Sequence, residues 1–197
     1  MESPTAPMPD RPDLFLIRHA PVTPAGLLAG RTDLDCALDP KAVAAVTRML
    51  PPVAGVVTSP ALRCRRTAAA LFPDATPVKD ADLWEQDFGI YDGRPYADLP
   101  DLGALDGHAL AHHRWDGGES FADVVLRVSF RLDHWGNVAT DSGPMALVCH
   151  AGTIRSALAQ ITGPGPALAF EIAPLSVTRM TKVPGGWAIG FVNRVAP

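Results

Sequence analysis

The chain has 197 residues, of which 47% are apolar and 19% charged, with 17 Lys+Arg against 21 Asp+Glu and a formal net charge of -4. The length suits one globular domain with a single substantial core, and the balance excludes the polar, highly charged composition of a disordered chain. The charge excludes a global basic field for nucleic acid or an anionic membrane, so any anion site must be local.

Residues 1–12 (MESPTAPMPDRP) are expected as a flexible tail, because four prolines in twelve residues suppress helix and ladder formation. The start has no apolar leader segment and no later run approaches a membrane span, so the chain reads as cytoplasmic. Residues 13–197 are expected as one domain. The runs LFLI (14–17), VAGVVTS (53–59) and PMALVC (144–149) are continuously apolar, as strands buried on both faces are, and predict the centre of a parallel sheet.

Between them, Asp39-Pro40 supplies a cap and a first-turn proline for KAVAAVTRML, and Ser59-Pro60 does the same for ALRCRRTAAALF. A further short strand is expected around VKDADL (78–83). Residues 84–118 form a long irregular excursion rich in Gly, Asp, His and Trp, the kind of segment that carries function. Ser120 with Asp123 resembles a capping box and opens a helix expected to run to about Trp135. GPGP (163–166) reads as a turn, and LSVTRMTK and WAIGFVN as a late antiparallel pair at the sheet edge. The pattern predicts an α/β fold, a three-layer α/β/α sandwich on a mainly parallel sheet.

In such sheets ligands sit beyond the carboxyl ends of the strands, where helix N-termini also point. Arg18-His19 follows the first apolar run, Arg63 follows the second, and Cys149-His150-Ala151-Gly152 ends the third. Guanidinium, imidazole and helix amides together are what a phosphoryl group requires: donors for its oxygens and a nucleophile in line with the leaving oxygen. A neutral imidazole held through its other ring nitrogen can be that nucleophile. An acid must protonate the departing alkoxide, and LWEQDFGIYDG offers Glu85 and Asp87.

These residues resemble those of the histidine phosphatase superfamily, the phosphoglycerate-mutase-like branch, from Leu14 onward. Its Arg-His-Gly signature matches IRHA at Arg18 and His19, and its SPLxRAxQTA segment matches SPALRCRRTA with Arg63. Its acid matches Glu85, and its second His-Gly matches His150. GRTDLDCAL (30–38) and GGES (117–120) match two further segments, and EQDFGIYDG resembles a loop of small phosphatases of the alpha-ribazole-phosphate phosphatase type. The resemblance implies a phosphohistidine on His19, with Arg18, Arg63, His150 and Gly152 holding phosphate and Glu85 donating the proton. It implies a small phosphorylated substrate, with no cofactor, metal, nucleic acid or membrane involved; nothing in the sequence specifies an oligomeric state. Arg31, Trp84 and Tyr91 are candidates for the substrate pocket, with Phe88, His112, His113 and Trp115 beside them.

The chain departs from the pattern at Ala20-Pro21-Val22, where the family has glycine and often Glu-Thr, and at Ala151 after His150. No Asp follows His150, which favours Glu85 as acid. Arg65 and Arg66 lie on other faces of their helix and read as solvated. His108 and His112 have i, i+4 spacing, but no carboxylate or cysteine completes a metal set. The three cysteines, Cys36, Cys64 and Cys149, are odd in number and lack zinc-ligand spacing, which fits reduced thiols. Cys149 and Arg155 have the C-x5-R spacing of cysteine-dependent phosphatases, a rival that leaves Arg18, His19, Arg63 and Glu85 unexplained. The same residues would also serve phosphoglycerate-mutase-type transfer or a catalytically silent phosphate-binding protein.

Overall fold

The first apolar run is strand β1 (Asp13–Arg18), buried through Ile17 and half-buried only at Arg18. The computed structural model describes residues 11–197, so residues 1–10 of the expected tail lie outside the described residues. Pro12 accepts a hydrogen bond from the Lys182 amide at 3.0 Å. After β1 come a small ribbon of β2 (Val22–Thr23) and β3 (Asp35–Cys36), then α1 (Pro40–Met49), β4 (Gly55–Thr58), α2 (Leu62–Leu71) and β5 (Val78–Lys79). A 3-10 turn (Ala81–Leu83) leads into the excursion, which contains two more 3-10 turns and one short helix, α3 (Gly107–His112). The chain closes with α4 (Phe121–Ser142), β6 (Met145–Cys149), α5 (Ala151–Thr162), α6 (Pro164–Ala167), β7 (Val177–Val183) and β8 (Gly186–Arg194).

The main sheet has the order β5-β4-β6-β1-β7-β8. The first four strands in that order are parallel, β7 pairs antiparallel with β1, and β8 pairs antiparallel with β7. Leu14, Leu16, Leu147 and Cys149 face a core built with α4 and α5, whereas Phe15, Ile17, Ala146 and Val148 face one built with α1 and α2. Helices thus cover both faces, which is why the central strands read as unbroken apolar runs. Each fully buried Leu or Ile contributes about 2 kcal/mol of transfer free energy. Because β6 lies between β1 and β4, the carboxyl ends of all three open on one side. Arg18 stands opposite Cys149, and Thr58 opposite Val148.

Local signals explain most boundaries. Asp39 caps α1 by accepting from the Lys41 amide, with Pro40 in the first turn, and Ser120 and Asp123 form the reciprocal capping box of α4. Three expectations are corrected. Helix α4 does not stop near Trp135 but runs to Ser142, ending at Gly143 (φ +103°). Gly136 is there for close packing: a Cβ would lie 2.5 Å from the Trp187 ring. Helix α2 begins at Leu62 with Ala61, not Ser59, at its cap position; Ser59 Oγ accepts the Ala61 amide at 3.4 Å and lies 2.8 Å from His150 Nε2. Residues 163–166 are no plain turn, since Pro164–Ala167 form the one-turn helix α6 with Pro164 at its start. Among the described residues, no helix is long and apolar enough to cross a membrane.

Candidate active site

His19 follows β1 directly, and its amide donates to the Cys149 carbonyl (3.0 Å), which joins the two strand ends. Its ring Nδ1 lies 2.7 Å from the Ala20 carbonyl. That oxygen can only accept, so Nδ1 carries the proton and Nε2 keeps its lone pair. The Ala20 amide donates to Thr67 Oγ1 (2.9 Å), whose hydroxyl donates to the Arg63 carbonyl (2.7 Å). Thr67 therefore couples the backbone of His19 to that of Arg63. Burial pushes the His19 pKa down to about 3, resisted by the Ala20 carbonyl and aided by Arg63 and Arg18, so the ring is neutral near pH 7.

His150 follows β6 directly as the cap residue of α5, is fully buried, and stands edge-on to His19 with ring centroids 5.2 Å apart. Its Nε2 lies 2.8 Å from Ser59 Oγ. Burial, then the charge of Arg63 and the neighbouring His19, hold its pKa well below the usual imidazole range. Trp84 lies parallel to this ring at 6.2 Å, with the guanidinium carbons of Arg31 and Arg63 at 5.6 and 6.0 Å from the indole centre.

Arg63, on the first turn of α2, has no exposed surface. Its terminal nitrogens donate to the carbonyls of Thr32 (3.0 Å), Ala29 (3.0 Å) and Gly30 (2.7 Å), so it also anchors the loop that carries Arg31. Arg18 donates to the Ile172 carbonyl (2.5 Å), and burial, against the nearby Glu85 charge, lowers its pKa. Among the described residues, six buried side-chain polar atoms have no hydrogen-bond partner, and three of them are Nε of Arg18, Arg31 and Arg63. An unpaired buried donor costs about 1–3 kcal/mol. The guanidinium groups of Arg18 and Arg63, whose charges act on both neutral histidines, suit an anion with several acceptor oxygens.

Glu85 is 9% exposed and reaches across to the first turn of α5. Its Oε2 accepts from the Gly152 amide (3.1 Å) and its Oε1 from the Gln86 amide (3.0 Å). Gly152, expected at the phosphate, thus gives its N–H to this carboxylate, and a Cβ there would sit 2.1 Å from Oε1. Asp87 instead closes its own turn by accepting from the Gly89 amide (2.8 Å). The Arg31 loop is fixed by Asp92, which accepts from the amides of Gly30 (3.2 Å), Arg31 (2.6 Å) and Thr32 (2.9 Å).

The structure separates the remaining candidates. Tyr91, Phe88 and His113 pack around Trp115, and Tyr91 also lies under Arg94; their rings do not meet the two site histidines. His112 stays outside this cluster, its exposed ring 4.3 Å from that of His108. Among the described residues, no three His, Cys, Asp or Glu form a metal-holding group. Arg65 and Arg66 turn to Asp33 and Asp35. The C-x5-R reading meets a geometric obstacle. Cys149 is fully buried in the α4–α5 core, burial raises its thiol pKa, and Arg155 Nε donates to the Phe170 carbonyl (2.8 Å). An apolar groove of about 690 Å³, lined by Leu50, Pro52, Val56 and Phe72 among others, lies at the opposite end of β4 and contains no histidine or arginine.

Sequence reasoning passed over Ser59 and Thr67. Both lie inside the matched SPALRCRRTA segment, where a cap and a helix interior explained them without reference to the site.

Comparison with known proteins places this geometry. The bifunctional protein Rv2228c of Mycobacterium tuberculosis is 30% identical over 156 residues, covering 72% of this chain; the match spans 41% of that longer relative. The alpha-ribazole phosphatase of Shigella flexneri superposes with a TM-score of 0.79 at 19% identity, over 93% of this chain and 97% of that one. Mycobacterial glucosyl-3-phosphoglycerate phosphatase Rv2419c does so with a TM-score of 0.77 at 23% identity, over 94% and 100%. At such identities these likenesses carry the fold. The family model of the histidine phosphatase superfamily (branch 1) matches residues 14–195, and the chain belongs to that family.

Proposed function

We propose that this protein hydrolyses a small-molecule phosphomonoester through a phosphohistidine on His19. The observation that carries the reading is the pair of buried guanidinium groups, Arg18 and Arg63, with unpartnered Nε atoms and charges that act on a neutral histidine whose Nδ1 is pinned to a carbonyl. In the first step, Nε2 of His19 donates its lone pair to phosphorus. The P–O bond to the substrate breaks, and the leaving oxygen takes a proton from Glu85. The positive charge arising on the ring is shared with the Ala20 carbonyl through Nδ1–H. In the second step, water attacks phosphorus and loses its proton to the Glu85 carboxylate, and the N–P bonding pair returns to the imidazole. Arg18 and Arg63 neutralise the phosphoryl oxygens in both steps, with the neutral ring of His150 beside them, so catalysis is mainly placement and charge.

Trp84 in the site, with the Phe88, Tyr91 and Trp115 cluster on the same excursion, supports a substrate whose alcohol part is partly apolar. The substrates named for the structural relatives belong to those proteins. The cytoplasm is the proposed location. The test is a broad panel of phosphometabolites, with free phosphate measured against product. Hydrolysis predicts one phosphate per alcohol released. Phosphate migration without release favours a mutase, and binding without turnover across the panel favours a silent binder.

A further inference from the structure

Arg127 projects from the second turn of α4, and all five of its N–H groups are used. Nε donates to Glu119 Oε1 (3.1 Å); Nη2 donates to Glu119 Oε2 (3.1 Å) and to the Glu85 carbonyl (3.0 Å). Nη1 donates to the carbonyls of Asp82 (2.7 Å) and Trp84 (2.9 Å). The guanidinium plane therefore gathers three carbonyls from a stretch that no sheet ladder supports.

Glu119, just before α4, is the second half of the device. Beyond Arg127 it takes the Asp87 amide (3.2 Å) and Arg31 Nη2 (3.4 Å), while its own carbonyl accepts from Gln86 Nε2 (2.8 Å). Burial would raise its pKa, but the hydrogen bonds and charge of Arg127, with the Asp87 amide and Arg31, hold it below the usual carboxylate range. Neither side chain is among the hydrogen-bond or ring contacts of His19 and His150.

We infer that the Arg127–Glu119 pair is the positioning device of the proton donor: it fixes the backbone of residues 82–87 so that the Glu85 carboxylate stays at Gly152, and it steadies Arg31 through the same carboxylate. The inference rests on the proposed function, in which Glu85 protonates the leaving oxygen. An ion pair whose side chains are 17% and 21% exposed adds little net stability. The geometry here needs a planar, five-donor head, which lysine lacks.

The test compares Arg127→Lys, Glu119→Gln and Glu85→Gln by kcat/KM on two esters. p-Nitrophenyl phosphate releases a weakly basic phenolate that needs no proton, whereas 2-phenylethyl phosphate releases a strongly basic alkoxide that does. General acid catalysis is worth about 10²–10⁴-fold. Glu85→Gln should lose about 10²-fold or more on the alkyl ester and under about tenfold on the aryl ester. Arg127→Lys should show the same selectivity at about 10-fold to 10²-fold, and Glu119→Gln, which keeps side-chain volume, about tenfold. Circular dichroism confirms that each variant is folded; if Arg127→Lys is not, Glu119→Gln decides. Equal losses on both esters, or none, in the clamp variants while Glu85→Gln stays selective overturn the clamp alone. A Glu85→Gln enzyme without selectivity overturns the donor assignment and the clamp with it.

Discussion

Replacing Gly152 by alanine probes the acid from the opposite side. Gly152 is the second residue of α5 and has no left-handed backbone, so only the surroundings exclude a side chain. A Cβ there would stand 2.1 Å from Glu85 Oε1 and 3.1 Å from its Cδ. Ordinary contact lies near 3.5 Å, so the carboxylate must withdraw by about 1 Å or more and give up the Gly152 amide. A displacement of about 1 Å in catalytic geometry costs about 10²-fold. Alanine also favours a helix over glycine by up to about 1 kcal/mol, which offsets the strain in the fold. Gly152→Ala should therefore lose about 10²-fold in kcat/KM on an alkyl phosphomonoester and less on an aryl one, while Tm moves by only a few degrees. Full activity on the alkyl ester in a folded Gly152→Ala protein would refute the placement of Glu85.

Two further outcomes follow from the buried groups. His19 and His150 are held neutral, with pKa values below the value of about 6.5 of an unfolded chain, so the unfolded state gains protons first as pH falls. The stabilising effect of neutral His19 is complete above that value and is lost as pH drops from there toward about 3, and that of His150 falls in the same direction. Between pH 7 and 5 His19 alone removes about 2 kcal/mol, measurable by urea unfolding, and His19→Gln should abolish that part of the dependence; a flat profile across this window contradicts the burial argument. Thr67→Val deletes the acceptor of the Ala20 amide inside the core, which should cost about 1–3 kcal/mol and lower Tm by several degrees. Phosphatase activity should fall about tenfold with it, and unchanged values of both would sever Thr67 from the nucleophile.

Sequence made the positions of the candidate site residues legible because each stands at the end of a buried strand or in a short local motif. Arg18, His19 and His150 could be placed at the carboxyl ends of β1 and β6 from apolar runs alone, before any distance was known. What sequence could not reveal depends on partners far along the chain. Gly152 reads as a phosphate-approach glycine until Glu85, 67 positions away, is seen against it. Ser59 reads as a helix cap, but His150 takes its hydroxyl. Arg127 is one arginine on an amphipathic helix, where a solvated face is the ordinary reading; its four partner residues lie in turns and loops whose path no periodicity encodes. Helix α4 passes through Gly136 because Trp187 of β8 needs that space, a contact set by tertiary packing.

The most direct measurement is to trap the covalent intermediate. Enzyme mixed with phosphomonoester, quenched in base and mapped by mass spectrometry should carry one acid-labile phosphate on His19. The label should vanish in His19→Ala and persist in Cys149→Ser. Label on Cys149, or turnover by His19→Ala at the wild-type rate, would contradict the account.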